Sequence, residues 1–191
     1  TGQHYETLHM EVNKLGKFNS EDVDKAFTGH GRLTSEIVAE VVHNSKNRKG
    51  VMLFAATVQH AEEILDSLPP ALSRMLDGKT KRKERRELIK LYKKKGFKYF
   101  VSVGTLTTGF DVPHVDHIAL LRATESVALL QQIIGRGLRI DDGKTDCLIS
   151  DYGENLERHC PDGDIFNPEI KVSFGGEASK PMTVTCEECS I

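Results

Sequence analysis

Five short apolar runs, interleaved with segments of helical period, constrain this chain more than any other feature. Val51-Met-Leu-Phe-Ala55 is apolar at every position, the pattern of a strand buried on both faces. Helical periodicity follows from Val58 to Leu68 and stops at Pro69-Pro70. Leu72 to Leu76 is a second strand candidate, closed by Asp77-Gly78. Thr80 to Lys95 reads as a helix with Leu88, Leu91 and Tyr92 on one side and cations on the other, ended by Gly96. Tyr99–Val103 and Val115–Leu121 are the third and fourth strands, Ser126 to Arg139 is a second strong helix, and Cys147–Ser150 is the fifth strand. Strands alternating with helices of this length predict an α/β fold, a parallel sheet flanked by helices on both faces. In such sheets ligands sit at the carboxyl ends of the strands.

The expected organisation has three parts. Residues 1–50 are a helical entry segment, with Ser20 capping a helix through Phe27 and Thr34 or Ser35 capping another through His43. Residues 51–158 form the α/β domain. Residues 159–191 are a loop-rich tail marked by Pro161, Gly163, Pro168, Gly175-Gly176 and Pro181. No run approaches eighteen apolar residues, so no membrane partner is expected. The start, Thr1-Gly2-Gln3-His4-Tyr5, has no basic-then-apolar signal and no initiator Met, which reads as an excised piece of a cytoplasmic protein.

Charge is unevenly placed. Lys79–Lys98 holds 11 of the 26 Lys and Arg and only two acids, Glu84 and Glu87, for a local charge of +9 on a chain of net −2. Such a stripe suits a phosphate backbone, and equally a solvated helix face.

The chain carries no nucleotide cradle of its own. Gly78-Lys79-Thr80 lacks the glycine a P-loop needs at 73, which is Ser73, and Gly143-Lys144-Thr145 lacks it at 138, which is Leu138. A different chemistry is written in Gln131-Gln-Ile-Ile-Gly-Arg-Gly-Leu-Arg139. At 100° per residue, Val127, Leu130, Ile134 and Leu138 line one side of a helix, and Gln132, Arg136 and Arg139 the other. Two guanidiniums and an amide on one face suit the outer side of a triphosphate, because arginine stays charged and offers a rigid donor fork. The same pattern suits an amphipathic helix with two surface arginines.

Four segments in order resemble superfamily 2 helicases. Gln132 to Arg139 resembles helicase motif VI, Thr107-Thr-Gly-Phe-Asp-Val-Pro113 motif V, Val51 to Thr57 motif IV, and Asp77 to Thr80 the stretch between motifs IV and V. The detailed likeness is to RadD (YejH)-type bacterial DNA-repair helicases, carried by Thr107–Asp111, Gln131–Arg139 and Gly143–Cys147 running into Asp151-Tyr152. The motor subunits of type I and type III restriction enzymes share a similar Thr-Gly-Phe-Asp turn. The resemblance implies a three-layer RecA-like lobe, of the P-loop NTPase fold but without its own Walker A, acting with an N-terminal RecA-like lobe of the same protein. ATP with Mg2+ would be held mainly by that other lobe. Arg136 and Arg139 would reach the γ-phosphate, and Gln132 the phosphate or the attacking water. Gly109 and Asp111 would contact the nucleotide, Asp111 through the ribose hydroxyls. Thr57, Lys79, Thr105 and Thr107 would contact the DNA backbone, with RNA an alternative polymer. Val103 and Gly104 depart from the polar residues that many relatives carry at the start of motif V.

Cys186-Glu-Glu-Cys189 has zinc-ligand spacing but supplies two of the four ligands a structural site needs. The readings are half of a Zn2+ ribbon or a metal-free pair. Cys147 and Cys160 are expected as core or loop thiols. A non-catalytic DNA-binding module, in which the basic stripe and the cysteine pair dominate, is the alternative to the motor lobe.

Overall fold

The computed structural model of the chain describes residues 3–104 and 110–164. Its elements run α1 (Ser20–Phe27), α2 (Gly31–Asn44), β1 (Val51–Ala55), α3 (Val58–Ser67), a 3-10 turn (Pro70–Leu72), β2 (Ser73–Leu76), α4 (Arg82–Lys93), β3 (Tyr99–Val103), β4 (His117–Leu121), α5 (Val127–Gly137), β5 (Leu148–Asp151) and α6 (Asn155–His159). The five strands form one sheet in the order β2-β3-β1-β4-β5, and every pairing is parallel. All five carboxyl ends therefore open on one edge.

The strand most apolar in sequence is the central one. β1 is buried at every position, and its alternate residues feed two separate cores. Val51, Leu53 and Ala55 join Tyr5, Phe27, Ile37, Val38, Val41, Ala61 and Ile64 on the face covered by α1, α2 and α3. Met52 and Phe54 join Tyr92, Phe100, Phe110, Val115, Leu130, Ile133 and Ile134 on the face covered by α4, α5 and the 110–115 segment. This is the three-layer arrangement expected from the sequence. The segment 1–50 supplies a large part of the first core, and Tyr5 is bonded to the end of β5 through Tyr5 N–H to the Tyr152 carbonyl, at 2.8 Å.

Several local expectations are corrected. The cap of α1 is Asn19, whose side chain accepts from Glu21 N–H, so Ser20 is the first helical residue instead. α2 starts at Gly31 without a side-chain cap, and Thr34 lies inside it, buried, with its hydroxyl 3.0 Å from Tyr5 Oη. In α4 the inward residues are Leu88, Ile89 and Tyr92, and Leu91 is 42% exposed. The left-handed residue that ends α4 is Lys95, with φ 59°, one before the predicted Gly96. α6 was not expected. It is set by Asp151, whose carboxylate accepts from Asn155 Nδ2 at 2.7 Å and Leu156 N–H at 2.8 Å.

Gly153 is required at the carboxyl edge. A Cβ there would meet the Arg122 carbonyl oxygen at 2.2 Å and Ala123 N at 3.0 Å, both backbone. Gly135, in α5, faces open space. We expect Gly153→Ala to cost about 1–3 kcal/mol as overpacking does. Gly135→Ala should gain about 0.5–1 kcal/mol from helix propensity. Urea unfolding of both variants checks the contrast; equal midpoints would contradict it.

Candidate functional site

The 110–115 segment and the end of α5 meet on the second face of the sheet. α5 begins at the carboxyl edge, where Ser126 caps it by accepting from Leu129 N–H, and runs back toward the amino edge. Its inward side is Leu130, Ile133, Ile134 and Gly137. Gly137 allows the close approach, since a Cβ would lie 2.3 Å from Cys147 Sγ and 2.9 Å from Ile118 Cδ1. The helix stops at Gly137, so Leu138 does not continue the apolar side and is 51% exposed. Arg139 likewise lies beyond the helix, and its relation to Arg136 is not set by helical pitch.

Tertiary bonds set it instead. Arg136 Nη1 donates to the Phe110 carbonyl at 2.9 Å, and Arg139 Nη1 pairs with the Asp111 carboxylate. The two arginines are thus tied to consecutive residues of the motif V-like turn. Partial burial, and then the Arg139 charge, press the Arg136 guanidinium below its ordinary value. Both remain cations, as arginine does in proteins. Asp111 is 65% exposed and Arg139 36% exposed, so the pair is open to a ligand. Arg136, Arg139 and Asp111 are therefore brought together. Gln132 lies one helical turn before Arg136 and is exposed. Gly109 lies outside the described residues.

A lysine missed as a site residue completes this end of the lobe. Lys144 Nζ donates to the carbonyls of Pro113 at 3.1 Å, Gly137 at 2.5 Å and Arg139 at 2.8 Å. The Gly143-Lys144-Thr145 triplet that fails as a P-loop is a clamp on the end of α5.

Two of the remaining candidates, Thr57 and Lys79, sit on the carboxyl edge of the sheet, after β1 and β2. Thr57 follows β1 and caps α3, accepting from His60 N–H at 3.1 Å, with its oxygen 3.2 Å from Thr28 Oγ1. Lys79 follows β2 at the tip of a turn held by Asp77, whose Oδ1 accepts from Lys79 N–H at 3.1 Å and Thr80 N–H at 2.8 Å. Those bonds hold the Asp77 carboxyl below the usual carboxylate range, the Thr80 hydroxyl first among them. Thr105 and Thr107, which follow β3, lie outside the described residues, as does the Cys186/Cys189 pair. The basic helix α4 starts beside Lys79, and none of its cations is in an ion pair among the described residues. Cys147 and Cys160 are free thiols; Cys160 is 4% exposed, and burial pushes the Cys147 thiol up to about 11. No group of three or more metal-ligating side chains occurs among the described residues, and no helix there is long and apolar enough to cross a membrane.

The helicase conserved C-terminal domain family matches residues 33–141. The protein named putative mitochondrial ATP-dependent helicase irc3, of Schizosaccharomyces pombe, is 37% identical over 125 residues, 64% of this chain and 21% of that protein. The chain thus spans about a fifth of that relative's length. Among solved structures, the Mycobacterium smegmatis helicase Lhr bound to ssDNA and AMP-PNP superposes with a TM-score of 0.56 at 20% identity, over 72% of this chain and 20% of that one. Domain 2 of the DEAD-box helicase Mss116p, bound to an RNA duplex, gives 0.51 at 21% identity, over 65% of this chain and 51% of that one. At these identities the two structures speak for the fold. The family match, the parallel sheet and the arginine-bearing helix agree: the chain belongs to the helicase conserved C-terminal domain family and is a C-terminal RecA-like lobe of superfamily 2.

Proposed function

We propose that this lobe serves an ATP-dependent DNA helicase or translocase, giving Arg136 and Arg139 to ATP and Mg2+ held by an N-terminal lobe. The observation that carries this reading is the joining of the arginines to the motif V-like turn, Arg136 to Phe110 and Arg139 to Asp111. A γ-phosphate brought against this open end would compete with Asp111 for Arg139, while Asp111 turns to the ribose hydroxyls. Gln132 would orient phosphate or water. Thr57 and Lys79 on the carboxyl edge, together with Thr105 and Thr107, would follow one strand of the polymer, with α4 adding diffuse attraction. DNA as the polymer, and repair in a bacterium as the setting, rest on the RadD-like residues; the cytoplasm is the compartment in this reading.

The test is ATP turnover by the complete protein on single-stranded DNA, duplex, forks and RNA. DNA should stimulate it and RNA should not. Stimulation by RNA alone would transfer the reading to an RNA motor. The isolated chain should turn over no ATP; robust hydrolysis by it would contradict the shared site.

A further inference from the structure

We propose that Lys144 is a positioning residue for the arginine pair, acting by tying the Arg139 backbone to the end of the turn that carries Asp111. This rests on the reading that Arg139 serves ATP hydrolysis.

The helix that presents the arginines ends without closure of its own. α2, α3 and α4 each finish with a backbone N–H from the capping residue donated into the last turn. α5 finishes at Gly137 with Leu138 making no such bond among the described residues. A helix end leaves four carbonyls without partners, and its partial negative charge attracts a cation. The Lys144 ammonium meets that demand from seven residues downstream, at the Gly137 carbonyl.

Its other two bonds are what make it more than a cap. One goes to the carbonyl of Arg139 itself, and the third to Pro113, two residues after Asp111. A single side chain thereby ties the exit of α5 to the end of the motif V-like turn. An ammonium has three donors and no acceptor, and all three are matched here. The Arg139 side chain is 36% exposed and that of Asp111 65%. Buried Phe110 and Val112 fix the Asp111 side, whereas Arg139 stands between the exposed Leu138 and Ile140, so the Lys144 bond is what holds the backbone there. The loop carrying Lys144 is held independently from outside. Lys49 Nζ donates to the carbonyls of Asp142 at 3.1 Å and Gly143 at 3.2 Å, and Arg48 pairs with Asp146. Lys49 therefore anchors the same loop without touching either arginine-bearing segment, which makes it the matched control.

Displacing a catalytic group by about 1 Å can cost roughly 100-fold in rate. In the complete protein, Lys144→Met should lower kcat for DNA-stimulated ATP hydrolysis by roughly 10- to 100-fold, with KM for ATP changed much less. Lys144→Arg, which restores a cation with several donors, should recover part of kcat. Lys49→Met should leave kcat within about two-fold. Because the effect passes through Arg139, adding Lys144→Met to an Arg139→Ala protein should change kcat less than about two-fold further. Full additivity in that double variant, or a wild-type kcat per folded molecule in Lys144→Met, would overturn the proposal. Arg139→Ala with undiminished turnover would instead overturn the reading beneath it, so the two failures are told apart.

Discussion

Lowering the pH from 7 to 5 should cost this lobe, beyond what the buried and likewise depressed His114 adds, about 4 kcal/mol of folding stability divided between His60 and His117. Both are fully buried, and burial is the main cause holding each at about 4 against an ordinary 6.5. The neighbouring charge of His30 adds to the effect at His60, and those of Arg48 and Lys98 at His117, where Asp116 opposes them. The hydrogen bonds account for the neutral forms. His60 Nδ1 accepts from Ala56 N–H at 3.4 Å, so its proton is on Nε2, which faces Tyr5 Oη at 2.9 Å. Ser45 spends its hydroxyl proton on the Val41 carbonyl, so His117 Nδ1 must donate to Ser45 Oγ, and His117 Nε2 accepts from Ser150 at 2.9 Å. Protonating His60 would set two N–H groups against each other.

Between pH 6.5 and 4 the unfolded chain takes up these protons and the folded one does not. The stabilisation is present above the unfolded value and is lost as pH falls toward the folded one. Each histidine then contributes a loss of about 2 kcal/mol at pH 5, large against the roughly 5–15 kcal/mol that holds a domain together. Urea unfolding at pH 7 and pH 5 measures it, and His60→Gln should remove about 2 kcal/mol of the dependence. A change under about 1 kcal/mol would contradict the neutral, buried assignment.

The second large effect is catalytic. Arginine fingers are worth roughly 10³–10⁵ in the rate of phosphoryl transfer. Arg136→Ala or Arg139→Ala in the complete protein should reduce ATP turnover on that scale. DNA affinity should change little, because Thr57 and Lys79 stand on the carboxyl edge of the sheet and the arginines at the far end of α5. Lysine should be a poor substitute at Arg139. Its point charge cannot reproduce the fork that grips Asp111 now and phosphate in the proposed complex.

The inner strands β1, β3 and β4 were legible because they are nearly continuous apolar runs buried on both faces, while the edge strands β2 and β5 are only partly buried. β1 and β3 match their expected bounds, and β2, β4 and β5 shift by one or two residues at an end. What was not legible depends on tertiary partners. Thr34 looked like a cap because its hydroxyl suits one, yet Tyr5, 29 residues away, engages it. Leu138 lies past the end of α5, where the helical period no longer holds, and Leu91 lies at the margin of the stripe set by Leu88, Ile89 and Tyr92. The Arg136, Arg139 and Gln132 grouping was found by treating 127–139 as one helix. Pitch relates Gln132 to Arg136 only; Arg139 lies past the helix, and Asp111 and Lys144 set its place. Lys144 itself was weighed as part of a P-loop, where its spacing fails, and its use by three carbonyls has no local signature.

Whether this lobe contributes arginines to a shared ATP site is read from one preparation of the complete protein carrying Arg139→Ala, with ATP turnover and DNA affinity measured on the same sample. Turnover should fall by roughly 10³-fold or more, with DNA affinity within a few-fold of wild type. Undiminished turnover, with Arg136→Ala equally active, would contradict that contribution.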